Sequence, residues 1–345
     1  MINSFKLYKK KVLNSYFSLR KNPKNLKNKD LYLFSNEIKK KIPTSYIFKT
    51  KNRYIYNHSI LNKRGNNIYI DYTLMVKQSV KNKIKKYLNK ADVNKLNESE
   101  LVDKASWITD EKSNRVFHWF TDTLMRFILI SRDKDASPIL IHEDLLSNSY
   151  IKESIEILKI KYKTYKRNQL LNVKNLEITS HVADSGNYHT EAINEIRNQF
   201  TKNLFTIKPS KRLWITRINS DYRRIENQEA LLPILKKYKF EIIKPEEKNL
   251  VKNIKLFNSA RVMGGLHGAG LTNMLFMQEN TSIIEVRREE DSHNNCYFSL
   301  ASDLNINYFY VNAVSNTLDF FNSDCKLDPE KLESLLSDYS DNLFG

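Results

Sequence analysis

The chain has 345 residues, of which 41% are hydrophobic, 28% charged and 11% aromatic, and this balance excludes a low-complexity or disordered chain. Its formal net charge of +18 leaves three classes of partner open: nucleic acid, an anionic membrane surface or an anionic substrate. Two cysteines, Cys296 and Cys325, match neither a disulfide framework nor a zinc-ligand spacing, which argues against redox chemistry and structural zinc.

The length predicts two domains of ordinary size. The sequence contains no run of about 18 apolar residues that could span a bilayer. Its N-terminus also lacks the continuous apolar segment of a signal peptide. We therefore expect a cytoplasmic protein.

Positive charge is concentrated in residues 1–90, which hold 20 lysines and three arginines against Asp30, Glu37 and Asp71. A solvated surface rich in lysine, encoded by a genome biased toward Lys, Asn and Ile codons, would explain the number of lysines. It would not explain the scarcity of acids, which a surface that contacts anionic headgroups requires. Segment 5–19 mixes lysines with aromatic and aliphatic residues and could lie along the face of an inner membrane. Lysine exceeds arginine and no nucleic-acid motif is recognisable, so we expect no nucleic-acid partner.

The first predicted domain is 1–204, with an uninterpreted basic region up to about residue 100. A strand-like run at 67–74 lies in that region. Beyond it, the periodicity predicts strands that alternate with helices, which indicates a parallel sheet covered by helices. The helices are predicted at 114–130, 149–160 and 189–203, and the strands at 138–142 and 174–180.

The helix at 114–130 carries a polar stripe on an otherwise apolar surface. Asn114, His118 and Asp122 follow one another at intervals of four residues, which places them on one face of a helix. Such a stripe faces water, a partner or a cleft. A His–Asp pair one turn apart can hold the imidazole in the tautomer that accepts a proton. Either residue could be the general base.

Two other clusters of titratable residues contain side chains that can bind metal, but their spacing does not predict a metal site. His181 and His189, with Asp184 and Glu191 nearby, fit no common metal-site spacing. Asp133 and Asp135 imitate a D-x-D signature, but a three-residue match arises easily by chance. We therefore predict no metal site.

The second predicted domain is 205–315, and its pattern is clearer. Strands alternate with helices, which predicts a doubly wound α/β domain that binds ligands at the carboxyl ends of its strands. The strands are predicted at 212–218, 240–244, 261–265, 282–286 and 307–311, and the helices at 226–238, 247–260 and 268–277. An acidic tail, 316–345, follows, in which Asp328 caps a helix that begins at Pro329 and ends near residue 338.

Four of the seven glycines of the chain fall within the segment RVMGGLHGAGLTNMLF, at Gly264, Gly265, Gly268 and Gly270. They follow a strand and open a helix, so the turn could present bare N–H groups to a phosphate. His267 within the turn could donate a hydrogen bond to the same phosphate. The alternative is a tight strand-to-helix turn without a ligand. The spacing matches neither a P-loop nor the dinucleotide fingerprint.

Several segments of the second half resemble one known family. WITR at 214–217, DYRRIENQEAL at 221–231, the glycine segment at 260–277 and IIEV at 283–286 look like the C-terminal half of glycosyltransferase family 61. Upstream, NRVFHWFTDTLMRF at 114–127 resembles a helix of that family, and GNYHTEAINEIRNQF at 186–200 resembles the stretch before its second domain. Bacterial members of the family act on capsular and lipopolysaccharide glycans.

The resemblance implies an α/β GT-B fold, with two Rossmann-like domains that face a cleft, and inversion at the anomeric carbon. It implies that no metal or cofactor is needed, because positive groups hold the donor diphosphate. The implied donor-binding residues are Arg217, Arg223, Arg224, Gly265, His267, Gly268, Ala269, Gly270, Asn273 and Glu285. Glu285 would bind the ribose hydroxyls, and Asn273 would bind the donor or cap a loop. His118 and Asp122 would be catalytic, with Asn114 and His189 as further cleft residues.

The leading hypothesis is therefore an inverting glycosyltransferase of surface polysaccharide biosynthesis. It would transfer a sugar from a nucleotide-sugar donor to a glycan or a lipid-linked glycan at the cytoplasmic face of a membrane. The alternative is a non-catalytic polyanion or nucleic-acid binder that uses residues 1–90. A transferase that has lost activity and serves as a scaffold is a third possibility.

Overall fold

The structure is a computed structural model that describes residues 8–62, 70–73, 98–133, 135–204, 207–218, 220–221, 223–315, 317 and 323–345. The chain divides into two compact units. The first contains 1–16 and 42–185, and the second contains 17–41 and 186–345. The division after Ser185 differs from the expected boundary at 204/205, and the segment 17–41 groups with the C-terminal half. Of the predicted strand run at 67–74, only Ile70–Thr73 is described, as a short helix. The rest of that run lies outside the described residues.

Strands and helices alternate through most of the described chain. The strands are β1 Tyr8–Leu13, β2 Tyr16–Leu19, β3 Lys39–Ile42, β4 Ser45–Tyr56, β5 Ser59–Leu61, β6 Glu100–Trp107, β7 Ile139–His142, β8 Tyr162–Tyr165, β9 Leu170–Thr179, β10 Lys211–Ile215, β11 Glu241–Ile243, β12 Ala260–Leu266, β13 Ser282–Arg288, β14 Asn307–Ser315 and β15 Cys325–Lys326. The α-helices are α1 Leu31–Ile38, α2 Ile70–Thr73, α3 Val116–His118, α4 Leu124–Ser131, α5 Ser149–Ile157, α6 Thr190–Thr201, α7 Gln228–Lys237, α8 Leu250–Asn258, α9 Cys296–Asp303, α10 Pro329–Asp338 and α11 Ser340–Phe344. A π-helical segment, Trp119–Thr123, joins α3 to α4, and 3₁₀ helices form at Asn28–Asp30, Glu143–Ser147, Pro245–Glu247 and Ala269–Phe276.

The first unit is built on a mixed sheet with the strand order β1-β4-β9-β6-β7-β8, to which β5 adds beside β4. The pairs β9–β6, β6–β7 and β7–β8 are parallel, as the alternating pattern predicts. The pairs β1–β4 and β4–β9 are antiparallel. Strands β1 and β4 come from the region that the sequence left uninterpreted, so the expected parallel sheet is only part of this unit.

The segment that we expected to contact a membrane, 5–19, is described from Tyr8 onward as strands β1 and β2. Strand β1 lies at the edge of its sheet and exposes Lys9, Lys10 and Lys11. Edge lysines discourage pairing with the strands of other molecules, which gives these charges a structural purpose. Among the described residues, no helix combines the length and the apolar character needed to cross a bilayer.

The second unit contains a six-stranded sheet with the order β11-β10-β12-β13-β14-β15. The first five strands are parallel to one another, and β15 is antiparallel to β14. In chain order the parallel strands run 2-1-3-4-5, the order of flavodoxin-like doubly wound folds. Such a sheet has its topological switch point between the first and third strands, which here are β10 and β12. A ligand is therefore expected at the carboxyl ends of these two strands.

The last residues belong to the core of the second unit, although the sequence suggested a separate acidic tail at 316–345. Leu332, Leu336 and Leu343 are fully buried in one cluster with Trp214 of strand β10. Helix α10 begins at Pro329 as predicted, and the Asp328 side chain accepts a hydrogen bond from the backbone N–H of Glu330. Glu330, Asp338 and Asp341 are exposed on the two helices that close this core.

Candidate functional site

The switch point of the second unit gathers the main sequence-predicted donor residues. Strand β10 ends at Ile215, two residues before Arg217, and strand β12 ends at Leu266, directly before His267. The His267 backbone N–H donates to the carbonyl of Val286 in strand β13, at 2.9 Å. Arg217 and His267 therefore lie where a doubly wound sheet binds its ligand.

The His267 side chain is held by a buried carboxylate. Its Nδ1 is hydrogen-bonded to Oε1 of Glu285, which is fully buried, whereas the imidazole itself is 23% exposed. The ring also packs edge-on against Tyr297, with 5.0 Å between ring centroids. A carboxylate on Nδ1 fixes the ring so that Nε2 is the nitrogen left for a ligand.

The second oxygen of Glu285 is also occupied. The hydroxyl of Tyr308 donates to Oε2 at 2.6 Å. Burial raises the pKa of Tyr308 well above its ordinary value, so the phenol keeps the proton that it donates. With both oxygens engaged inside the protein, Glu285 does not have the geometry of the expected ribose ligand. Its position is that of a residue that orients His267.

Charged side chains, two arginines and one aspartate, lie beside His267. A small recess beside it is lined by Arg223, Leu266, His267, Arg288 and Asp291. The Nε of Arg217 donates to the carbonyl of Arg223 at 2.9 Å, which ties the two predicted arginines together. Guanidinium groups beside a strand end suit the binding of a diphosphate.

Arg224, the third predicted arginine, is engaged elsewhere. Its side chain makes hydrogen bonds to Oδ2 of Asp324 at 3.1 and 2.8 Å, and its backbone N–H donates to Oδ1 of the same carboxylate. This pair lies at the surface and connects the segment after β10 to strand β15. We therefore regard Arg224 as a structural residue.

The clustered glycines are explained first by close packing. A Cβ at Gly264 would lie 2.6 Å from the Trp214 ring, and one at Gly265 would lie 3.1 Å from Cβ of Ile215. A Cβ at Gly270 would lie 3.0 Å from Cγ2 of Ile215. Three of the four glycines thus allow strand β12 and the following turn to lie directly on β10. The tight-turn interpretation accounts for them without a ligand.

Gly268 differs from the other three glycines. A Cβ there would lie 2.8 Å from Nη1 of Arg217, the far end of a flexible side chain. Its φ of 167° is extended backbone that any residue adopts. Gly268 is therefore the glycine of the cluster that leaves room for the Arg217 guanidinium beside the turn.

Gly264→Ala is expected to destabilise the protein by about 1–3 kcal/mol, because the added methyl group has to displace the buried Trp214 ring. Gly268→Ala is the matched control and is expected to leave stability nearly unchanged, since the Arg217 side chain can move. Urea unfolding midpoints measure both effects. Equal midpoints for the two variants would contradict the packing role of Gly264.

The element after the glycines is a 3₁₀ helix, Ala269–Phe276, where the sequence predicted an α-helix at 268–277. Asn273 lies within it and donates from Nδ2 to the carbonyl of Gly270 at 2.8 Å. That contact matches the loop-capping alternative for Asn273. Ala269 occupies the first position of the 3₁₀ helix, directly after Gly268.

The first unit brings together the two predicted catalytic residues. The Nδ1 of His118 lies 2.6 Å from Oδ2 of Asp122, and the Ser185 hydroxyl donates to the same oxygen at 3.2 Å. Asp122 is buried, whereas the His118 side chain is 14% exposed. Asp122 belongs to the π-helical segment, and such widened turns are frequent at functional sites.

A buried arginine stands behind this dyad. Arg126 is fully buried and donates to the side chain and carbonyl of Thr179, at 2.8 and 2.9 Å. Burial lowers the pKa of Arg126 to about 10, against the opposing charges of Asp110 and Asp122. Burial also raises the pKa of Asp110 to about 6, and Arg126, 4.0 Å away, offsets part of this rise. Arg126 thus places a buried positive charge close to both carboxylates.

Asn114 lies before the helix that carries His118. Helix α3 begins at Val116, so Asn114 precedes it, and its carbonyl accepts a hydrogen bond from the Tyr150 hydroxyl at 2.6 Å. The predicted start of this helix at residue 114 is therefore wrong. His189 is buried and directly precedes helix α6 of the second unit, where its carbonyl accepts from the N–H of Ile193.

Two negatively charged loop residues also have structural contacts. Asp133 pairs with Lys49 at 3.6 Å, and its Oδ1 accepts from the backbone N–H of Asp135. Within the described ranges, no group of three or more His, Cys, Asp or Glu side chains is arranged to hold a metal ion. Independence from metal stays a prediction.

Sequence reasoning missed four residues around the His267–Glu285 pair: Arg287, Arg288, Asp291 and Tyr308. Three of them belong to the run RREED that follows IIEV. Two adjacent arginines at the end of a buried strand could have indicated an anion-binding site. Arg287 is buried and donates to Oδ1 of Asn295 at 3.0 Å. Tyr308 had no signal, because an aromatic residue in a strand predicts only core packing.

Comparison with known proteins identifies the family that this chain resembles. Residues 116–284, about half of the chain, match the model of the family described as glycosyltransferase 61. The relatives include the EGF domain-specific O-linked N-acetylglucosamine transferases of Mus musculus, 31% identical over 102 residues, and Drosophila melanogaster, 30% identical over 105 residues. These matches cover 28% and 29% of this chain but only 19% and 20% of the relatives, so the chain spans about a fifth of their length. Together, the two comparisons support a glycosyltransferase of family 61.

Proposed function

We propose that this protein is an inverting glycosyltransferase that moves a sugar from a nucleotide-sugar donor to a glycan or lipid-linked glycan acceptor. The observation that carries this proposal is the His267–Glu285 pair at the switch point of the parallel sheet, beside arginines. Phosphate groups of a nucleotide suit that position. The family match supports the transfer of a sugar from the bound donor.

The donor diphosphate is held by His267 and the nearby arginines. The imidazole donates from Nδ1 to Glu285, so Nε2 is available to donate to a phosphate oxygen when the ring is protonated. Arg217 and Arg223 supply charge that offsets the negative charge developing on the leaving nucleoside diphosphate. This arrangement performs the role that a metal ion has in other transferases, so we propose that the reaction is independent of metal.

The acceptor hydroxyl is activated by His118. Asp122 accepts the Nδ1 proton of His118, which leaves the lone pair of Nε2 to take the proton of the hydroxyl. The burial of Asp122 favours it as the residue that orients the base. One displacement by the activated oxygen then forms the new glycosidic bond with inversion, while the nucleoside diphosphate departs.

The donor sugar and the acceptor are the finer parts of the proposal. The names of the relatives make an N-acetylglucosamine nucleotide the first donor to test. These relatives are animal proteins, so the comparisons do not confirm the bacterial capsule or lipopolysaccharide type that the resemblance suggested. A role in surface polysaccharide biosynthesis, the GT-B arrangement of the two units and a cytoplasmic location stay predictions.

A thermal-shift panel of nucleoside mono- and diphosphates tests the donor site. We expect the melting temperature to rise by several degrees with the diphosphate of the correct base, because a ligand at about 100 times its Kd stabilises the folded state by about 2.7 kcal/mol. The corresponding monophosphate should give a smaller rise, since it lacks one phosphate. No shift with any nucleoside diphosphate would contradict the proposed donor site.

The alternative function, a polyanion or nucleic-acid binder, is not favoured by the comparisons. It predicts tight, salt-sensitive RNA binding that survives replacement of His267 or Arg217 by alanine. A transferase would instead lose donor turnover in the same variants. Measuring RNA affinity and sugar transfer in His267→Ala therefore separates the two functions.

A further inference from the structure

The N-terminal segment 17–41 is anchored to the second unit by its inner side. The backbone N–H of Lys24 donates to the carbonyl of Tyr308, and the side chain of Asn25 donates to the carbonyl of Tyr310. Phe34 is fully buried and packs edge-on against Phe298, with 5.0 Å between ring centroids. The segment is therefore a fixed part of this unit.

The outer side of the same segment exposes apolar side chains. Phe17 is 58% and Leu19 74% exposed, and both lie on strand β2, where the intervening Ser18 is buried. In the first turn of helix α1, Leu31 is 51% and Tyr32 52% exposed. Single exposed apolar residues are normal, but four within 25 residues of one folded segment favour a surface that binds a partner molecule or a membrane.

The same segment carries exposed lysines. The Nζ of Lys39 lies 5.1 Å from the ring centroid of Phe17, which places a charge beside an exposed aromatic residue. The segment is described throughout, and its exposed lysines are Lys21, Lys24, Lys27, Lys29, Lys39 and Lys41.

The two acids of the segment are already paired. The carboxylate of Asp30 is buried and accepts from the Tyr310 hydroxyl at 2.7 Å. Glu37 pairs with Arg20 at 2.6 Å and with Lys40 at 2.8 Å. The other charged groups of the segment are lysines, of which Lys27 and Lys29 line a cavity with Glu289, Asp328, Glu330 and Asp338, so Lys21, Lys24, Lys39 and Lys41 provide the exposed positive charge away from these acids.

We propose that the outer side of segment 17–41, named here the lysine–apolar surface, docks the protein on a membrane surface rich in anionic lipid headgroups. Apolar and aromatic side chains insert at the boundary between headgroups and acyl chains, and the lysines attract the anionic lipids. The arrangement favours a bilayer over RNA, because it presents aliphatic side chains and flexible lysines without the exposed arginines and stacked aromatic platforms of RNA-binding grooves. This proposal is independent of the donor site.

Vesicle co-sedimentation tests the lysine–apolar surface. The intact protein is mixed with phosphatidylcholine vesicles, or with vesicles in which about a third of the lipid is phosphatidylglycerol. We expect binding only to the anionic vesicles and loss of binding as salt is raised, because salt screens the attraction. Equal binding to both kinds of vesicle, or no binding to the anionic kind, would overturn the proposal.

Variants locate the contact. Phe17→Ser/Leu19→Ser is expected to lower the partition coefficient for anionic vesicles about tenfold or more, and Lys39→Gln/Lys41→Gln by a similar factor. The control Ile242→Ser/Val251→Ser removes two apolar residues that are each 43% exposed elsewhere on the same unit, and should bind like the wild type. All positions are exposed, and circular dichroism verifies that each variant is folded.

Each remaining outcome also decides the question. Wild-type binding by Phe17→Ser/Leu19→Ser would place the contact elsewhere and overturn the proposal. An equal loss in the control variant would do the same, because the effect would then not be specific to segment 17–41. If single-stranded RNA bound the protein under conditions in which anionic vesicles did not, the surface would be assigned to nucleic acid instead.

Discussion

Asp122→Asn is expected to lower kcat by about 10²–10⁴-fold while leaving donor affinity unchanged. In the proposed mechanism the carboxylate, whose Oδ2 lies 2.6 Å from Nδ1 of His118, accepts the Nδ1 proton, and the lone pair of Nε2 takes the proton of the acceptor hydroxyl. An asparagine amide can donate to Nδ1, and the ring would then carry its proton on Nε2, where it cannot take one from an acceptor hydroxyl. Initial rates of sugar transfer and a titration with nucleoside diphosphate measure the two quantities separately.

Asp135→Asn is the matched control, since it removes an exposed acid of the same unit that has no contact with the dyad. It should retain wild-type kcat, which would also exclude a catalytic D-x-D motif. His118→Ala should lose activity like Asp122→Asn and regain part of it with added imidazole. Full activity in either dyad variant would show that His118 is not the base, and a loss of donor binding would indicate structural damage instead.

The C-terminal unit could be predicted from the sequence because its signals are local. Strands β10, β11 and β12 are each followed by a helix that the sequence predicts, and right-handed crossovers leave little choice of topology. The helix α9 after β13 has no such prediction. The N-terminal region could not be predicted in this way. Strand β4 pairs with β9, more than a hundred residues away, and segment 17–41 leaves the first unit to pack on the second. Nothing in the composition of these segments specifies such distant partners.

In the candidate site, too, contacts within one element could be predicted from the sequence, whereas contacts between distant elements could not. The pairing of His118 with Asp122 follows from their spacing on one helical face, and the sequence predicts it correctly. The role of Glu285 does not follow, because its two partners, His267 and Tyr308, come from outside its own strand. From the sequence alone, a charged residue such as Glu285 in an apolar strand is interpreted as a residue that binds a ligand. Only the structure shows that His267 and Tyr308 occupy its two oxygens. The glycine spacing has the same ambiguity, since close strand packing and phosphate binding select the same residue.

His267→Ala is expected to raise the Kd of the nucleoside diphosphate about ten- to hundredfold. A charge-assisted hydrogen bond contributes about 1.5–3 kcal/mol, and the imidazole is the group at the switch point that Glu285 orients for this contact. Glu285→Gln should weaken binding in the same direction, because the amide keeps the shape but has only one oxygen to accept from both His267 and Tyr308, so it orients the imidazole less well. Isothermal titration calorimetry measures both constants.

Arg224→Ala provides the control for this prediction. Sequence reasoning places Arg224 in the donor site, whereas its side chain is bound to Asp324 at the surface. The structure therefore predicts an unchanged Kd for Arg224→Ala and a raised one for Arg217→Ala, whose guanidinium lies beside Gly268. If Arg224→Ala weakened binding as much as His267→Ala, the diphosphate would have to lie near Asp324. That outcome would overturn the structural role of Arg224, because its ion pair with Asp324 would then not be what holds it at the surface.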